Sequence, residues 1–186
     1  MDFLNKNKSG FTLIEILIST FIIITLSILV LASYESADRQ LALKRAAHKL
    51  VQDLRETQEM AMSGQETESG LPSIGGYGIY FKSDDAEDDF YIRFADMDAE
   101  GDFDPGEEVG DPIYMEDAIS IFDILDGSGP PPVSYSETVI IFVPPDPTVK
   151  FSFDSNSATI VLGGTSDLAS VRVNVVGLIS IEPVSI

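Results

Sequence analysis

Gly10-Phe11-Thr12-Leu13-Ile14-Glu15 opens an apolar run that continues to Leu31. One carboxylate, Glu15, stands near its start. A charged side chain inside a bilayer costs about 3 kcal/mol near the centre on insertion scales, and less toward an interface. An acid held at that cost calls for a functional role. As a helix, Phe11 to Leu31 would be about 31 Å long, which matches a hydrocarbon core of about 30 Å.

The ten residues before Phe11 are polar and mildly basic, with Lys6 and Lys8 against Asp2. A secretory signal is cut after its apolar region, at small residues. Here Ala32-Ser33-Tyr34-Glu35 follows and reads as more helix. If a leader is removed, it is therefore the polar piece ahead of the apolar run, and the run stays. The two lysines favour a cytoplasmic N-terminus, with the C-terminal part outside.

This arrangement resembles the class III signal of type IV prepilins and type II secretion pseudopilins. The residues that carry the likeness are Gly10, Phe11, Thr12, Leu13, Ile14 and Glu15. The resemblance implies cleavage by prepilin peptidase between Gly10 and Phe11, N-methylation of Phe11, and a role for Glu15 in filament assembly. Inside a helical bundle an ionised carboxylate needs a partner. The amine of a neighbouring subunit's Phe11 could supply it. The apolar run would then have two successive partners, the inner membrane and sister helices of other pilin or pseudopilin subunits.

Beyond Leu31 the pattern stays helical but becomes one-sided. Leu43, Ala47, Leu50, Leu54 and Ala61 follow a 3-4 spacing, interrupted at Thr57 and Gln58, with Arg45, Lys49, Gln52, Glu56 and Glu59 on the opposite face. Gly64 and Gly70 place the end near Met62. The expected organisation is a leader at 1–10, a long helix at 11–62 with its membrane half at 11–31, and a globular β domain at 63–186. Arg39, Lys44, Arg45 and Lys49 form a basic collar. It would meet either an acidic neighbour or anionic lipid headgroups.

From Gly75 the period becomes that of strands. The expected strands are 77–82, 90–95, 138–143, 149–153, 159–162, 171–175 and 178–181. Turn chemistry separates them, as in Pro144-Pro145-Asp146-Pro147 and Asp154-Ser155-Asn156. The stretch from Ile113 to Ser136 reads as less regular, with a surface loop at Gly127 to Pro132. The expected fold is α+β and pilin-like: one long helix packed on a small antiparallel β domain. The order of helix, Gly75-Gly76-Tyr77-Gly78-Ile79-Tyr80-Phe81, the Ile140-to-Pro145 segment and the final Val171-to-Ile181 segment is similar to the protein H pseudopilins and fimbrial protein T minor pilins.

Composition narrows the chemistry. The 186 residues include no cysteine and one histidine, with 31 acids against 11 bases for a formal net charge of -20. No disulfide is possible, so the core or a metal must hold the domain. His48 lies in the helical pattern and reads as a surface residue. No zinc constellation or nucleophile motif is present, so an enzyme is not expected. So acidic a surface repels phosphate backbones, and nucleic acid is not an expected partner.

Acid spacing singles out one segment. In Asp96-Met97-Asp98-Ala99-Glu100-Gly101-Asp102-Phe103-Asp104-Pro105-Gly106-Glu107, acids stand at positions 1, 3, 5, 9 and 12 of a twelve-residue calcium loop, with Gly at 6 and Phe at 8. Calcium takes six to eight oxygens, and alternate residues of a tight loop point inward. The expected ligands are Asp96, Asp98, Glu100, Asp104 and Glu107, with Asp102 giving its backbone carbonyl. A strand enters the segment, and Pro105-Gly106 precedes its last acid, so the expectation is a calcium loop between strands and not a helix-loop-helix. The competing reading is a solvated acidic turn. The run Asp84-Asp85-Ala86-Glu87-Asp88-Asp89 has no ligand spacing and reads as a solvated loop.

Two functions follow as expectations. One is a structural subunit, a minor pilin or pseudopilin of a type IV pilus or type II secretion-like filament. The other is a calcium-dependent adhesive or substrate-binding module at the tip of such a filament. Ala32, where many major pilins carry proline, agrees with a minor subunit.

Overall fold

A computed structural model describes residues 10–67, 70, 73–83, 90–116, 119–127, 129, 131–146, 148–164 and 167–182. Residues 1–9, the acid run at 84–89, and positions 128 and 130 of the expected loop lie outside the described residues. The chain divides into two compact units, Met1–Asp38 and Arg39–Ile186.

Thr12 begins the single described helix, α1 (Leu13–Ser63). Its carbonyl accepts the Ile16 N–H at 3.3 Å, and its hydroxyl accepts the Glu15 N–H at 3.3 Å. Thr12 is thus an N-cap, and Thr12-x-x-Glu15 is the sequence of a capping box. In the first unit the segment Leu13–Leu31 has a mean hydropathy of 2.6 and is long and apolar enough to cross a membrane.

α1 ends in a Schellman motif. The Gln65 N–H reaches the Met60 carbonyl at 3.2 Å, the Gly64 N–H reaches the Ala61 carbonyl at 3.3 Å, and Gly64 has φ 61°. Within the second unit, Leu43, Ala46, Ala47, Leu50, Val51, Leu54 and Ala61 form its buried stripe.

Two five-stranded antiparallel sheets complete that unit. The strands are β1 (Gly76–Lys82), β2 (Phe90–Asp96), β3 (Ile113–Tyr114), β4 (Ser120–Asp126), β5 (Ser134–Tyr135), β6 (Glu137–Val143), β7 (Thr148–Phe151), β8 (Ser157–Gly163), β9 (Leu168–Asn174) and β10 (Ile179–Glu182). The orders are β3-β2-β1-β6-β7 and β10-β9-β8-β4-β5. One core joins the α1 stripe to inner residues of both sheets, among them Ile79, Phe81, Ile140 and Phe142 of the first and Ile124, Ile160, Leu162 and Val171 of the second. Thus the fold is α+β, with the long N-terminal helix and antiparallel sheets expected from the sequence.

The stretch 113–136 corrects the expectation. It holds β3, β4 and β5, and β4 pairs with β8 along most of its length. A bulge between Ile121 and Asp123 turns Phe122 outward and sets the two buried isoleucines, 121 and 124, three residues apart. That spacing hides a strand from a search for alternation.

The interruption of the helix stripe also has a cause. The Thr57 hydroxyl donates to the Asp53 carbonyl at 2.8 Å. Gln58 Nε2 donates to the Gly177 carbonyl at 3.2 Å, which ties α1 to the β9–β10 turn.

Candidate functional site

At the N-terminal segment the structure places Gly10 and Phe11 immediately before the cap, both exposed. Phe11 is 79% exposed. Glu15 lies in the first turn of α1, where the unpaired N–H groups favour an anion by about 0.5 kcal/mol. The other polar side chains of Leu13–Leu31 are satisfied within the helix. Ser19 donates to the Glu15 carbonyl at 2.7 Å, Thr20 to Ile16 at 2.9 Å, Thr25 to Phe21 at 2.8 Å and Ser27 to Ile23 at 2.8 Å. These hydroxyls enter an apolar setting without an orphaned donor. Glu15 alone has a side chain with no partner among the described residues.

The acidic loop leaves the end of β2 and returns beside it. The Val109 N–H donates to the Arg93 carbonyl at 2.8 Å, the Ala95 N–H donates to the Glu107 carbonyl at 2.9 Å, and Phe94 bridges to Glu108. Asp96 is 1% exposed. Its two carboxylate oxygens accept the N–H groups of Ala99 at 2.6 Å and Gly101 at 3.2 Å. Glu107 accepts from Met97 at 2.7 Å and from Asp104 at 3.2 Å. Asp98 accepts from Glu100 at 3.1 Å.

The loop takes positive φ at three points, one of them Gly106 with φ 106°. Gly101, the position-6 glycine, has φ 89°, and Ala99 has φ 65°, which costs about 1 kcal/mol for a residue with a Cβ.

One oxygen from each of Asp96, Asp98 and Glu107 falls within 4.8 Å of the others. Calcium bonds oxygens at about 2.4 Å, so ligands on opposite sides of the ion stand about 5 Å apart. The group therefore fits around one such ion. The Glu100 and Asp104 carboxylates, also expected as ligands, are exposed and lie outside this group, which concerns side-chain oxygens and not the backbone carbonyl expected of Asp102. Burial raises the pKa of Asp96, opposed by its amide donors and reinforced by the charge of Asp98. Burial likewise raises Glu107, and Asp96 and Asp98 add to the rise. A divalent cation would remove that strain by supplying opposite charge.

Two supports of the loop were not foreseen. A Cβ at Gly75 would lie 2.1 Å from Asp96 Oδ2, so only glycine leaves room for the buried carboxylate. The Gly75-Gly76 pair was the available signal. Phe103, the position-8 apolar residue, folds back over the first sheet. It stacks on Tyr80 at 5.0 Å and meets Phe94 edge-on at 5.5 Å. With Val139, Ile141 and Val143 these rings form a second, smaller core on that sheet.

Residues 5–33 match the family model of the prokaryotic N-terminal methylation motif. No curated protein and no solved structure matches the chain. The motif fits the capped apolar helix with its single unpartnered acid, and it implies processing by prepilin peptidase and assembly with other pilins. By this segment the chain carries the prokaryotic N-terminal methylation motif, the class III signal of type IV pilins, on a helix long and apolar enough to cross a membrane.

Proposed function

We propose that the chain is a minor pilin or pseudopilin, a structural subunit and not an enzyme. It waits in the inner membrane as a single-pass precursor with its C-terminal domain outside. Prepilin peptidase cuts between Gly10 and Phe11, and Phe11 is methylated. The trimmed chain then enters a filament in the periplasm or at the cell surface.

The observation that carries this reading is Glu15, the one polar side chain of the apolar segment with no partner among the described residues. The Phe11 amine of a neighbouring mature subunit would supply the opposite charge. The preference for a minor subunit or pseudopilin rests on the strand order and on Ala32.

Mass analysis of the N-terminus after co-expression with a prepilin peptidase tests the processing step. The expected mature chain starts at methylated Phe11. Intact Met1, or a cut beyond Leu31, overturns the reading. For the acid, Glu15→Ala is expected to be cut normally yet to enter filaments at least tenfold less. Normal incorporation would remove its assigned role.

A second reading concerns calcium, favoured by the convergence of Asp96, Asp98 and Glu107. We infer that these three residues hold the ion, which clamps the loop to β2. Calorimetric titration of the full chain is expected to detect one calcium, absent in Asp96→Asn. If Asp96→Asn abolishes binding to a surface or secreted substrate while assembly persists, the chain is a calcium-dependent tip module. If only thermal stability falls, the ion is structural.

A further inference from the structure

The collar and the acidic end of α1 are both exposed, and they carry opposite charge. Of the chain's 11 lysines and arginines, five stand between Arg39 and Arg55. Lys44 and Lys49 are exposed and hold no partner among the described residues. Arg45 already holds Glu116 at 3.2 Å.

Toward the C-terminal turns of α1 a groove of about 520 Å³ opens between the helix and the segment that follows the acidic loop. Glu56, Glu59, Met60, Arg93, Val109 and Gly110 line it. Arg93 offsets Glu56 through an ion pair at 3.2 Å, which leaves Glu59 as the groove's acid without a partner among the described residues. An adjoining hollow of about 370 Å³ adds Glu66 and Glu108.

We propose that this groove receives the basic collar of a second copy of this chain. The proposal rests on the reading of the chain as a filament subunit, and it names the surface by which copies meet outside the apolar segment. Three observations favour a second copy. A chain of net charge -20 repels itself wherever its average surface meets another copy, so contact between copies must use its one dense group of bases. Met60 and Val109 offer apolar surface to lysine stems, while the acids meet the ammonium groups. Copies anchored by the same N-terminal segment lie parallel. A parallel copy displaced by ten residues, about 15 Å along α1, sets Lys49 level with Glu59 and brings Lys44 to within a turn of Glu56. Donor and acceptor surfaces differ, so the contact between two copies is heterologous.

The absence of native cysteine makes the test direct. Two differently tagged full-length copies, one Lys49→Cys and one Glu59→Cys, are expressed together with a prepilin peptidase and mildly oxidised. The expected product is a disulfide-linked pair carrying both tags, at least fivefold more abundant than from Lys49→Cys with Lys49→Cys. Adding Lys44→Glu to the donor copy is expected to lower it at least fivefold, and Lys44→Arg to preserve it. If the copies are cut after Gly10 and enter filaments but no two-tag adduct forms, the docking surface is wrong and the subunit reading stands. An adduct unaffected by Lys44→Glu also overturns it, because the contact would then not depend on the charge of the collar. If the copies are neither cut nor assembled, both readings fall together.

Discussion

Tyr91 and Asp53 meet in the core, where β2 faces α1. The tyrosine hydroxyl donates to Asp53 Oδ2, and both residues are buried. Burial first, then the hydrogen bond and charge of Asp53, push the Tyr91 pKa well above its ordinary 10.0. A folded-state pKa above the unfolded value means that the folded chain keeps its proton longer. The contribution is fully present below about pH 10 and is lost as pH rises beyond it. Tyr91→Phe leaves a buried carboxylate without its donor, which costs about 2 kcal/mol. Urea denaturation at pH 7 is expected to show that loss, and adding Asp53→Ala to Tyr91→Phe to recover part of it. No change in the midpoint for Tyr91→Phe would mean that water or another donor serves Asp53. An acid at position 53 was not part of the apolar 3-4 pattern that defined the stripe. The sequence names its type and position, but only the approach of β2 reveals its partner.

Elements differ in how openly they announce themselves. α1 was legible because its signals are local: an apolar run, a 3-4 stripe and a closing Gly64. β1, β2, β6 and β8 were legible because buried residues mark them clearly, as in Tyr77-Gly78-Ile79-Tyr80-Phe81. β4 was hidden because its bulge broke the alternation, and β3 and β5 have only two residues each. The acidic loop was legible as spacing, but spacing could not say which acids converge. That depends on Asp96 being buried at the end of β2 and on Glu107 being drawn back by the Met97 amide. Nor could spacing show that Phe103 anchors the loop. Phe103→Ala removes the ring that stacks on Tyr80 and leaves every proposed ligand in place. Without that anchor the loop must be ordered by the ion itself, which subtracts from binding. The expected result is calcium affinity weakened about tenfold, equivalent to about 1.4 kcal/mol, with native secondary structure by circular dichroism. An unchanged affinity would mean that the loop is held by its backbone hydrogen bonds alone.

At the scale of the whole molecule, charge sets two effects that one experiment separates. A net charge of -20 makes the folded chain repel itself, and any salt relieves that by screening. The screening length falls from about 30 Å at 0.01 M to about 8 Å at 0.15 M, so added sodium chloride is expected to raise the melting temperature smoothly. Magnesium and calcium at equal concentration screen alike. They differ at a built site, because magnesium requires tight octahedral geometry and gives up its water reluctantly, whereas calcium accepts an irregular set of carboxylates and carbonyls. An ion at a hundred times its dissociation constant stabilises the fold by about 2.7 kcal/mol, a shift of several degrees. The full chain at 0.15 M sodium chloride is therefore expected to melt several degrees higher with calcium than with equimolar magnesium. In Asp96→Asn the calcium excess should vanish while the response to sodium chloride persists. If calcium and magnesium raise the wild-type melting temperature equally, the acids act only as a diffuse field, and Asp96, Asp98 and Glu107 are a turn with no resident ion.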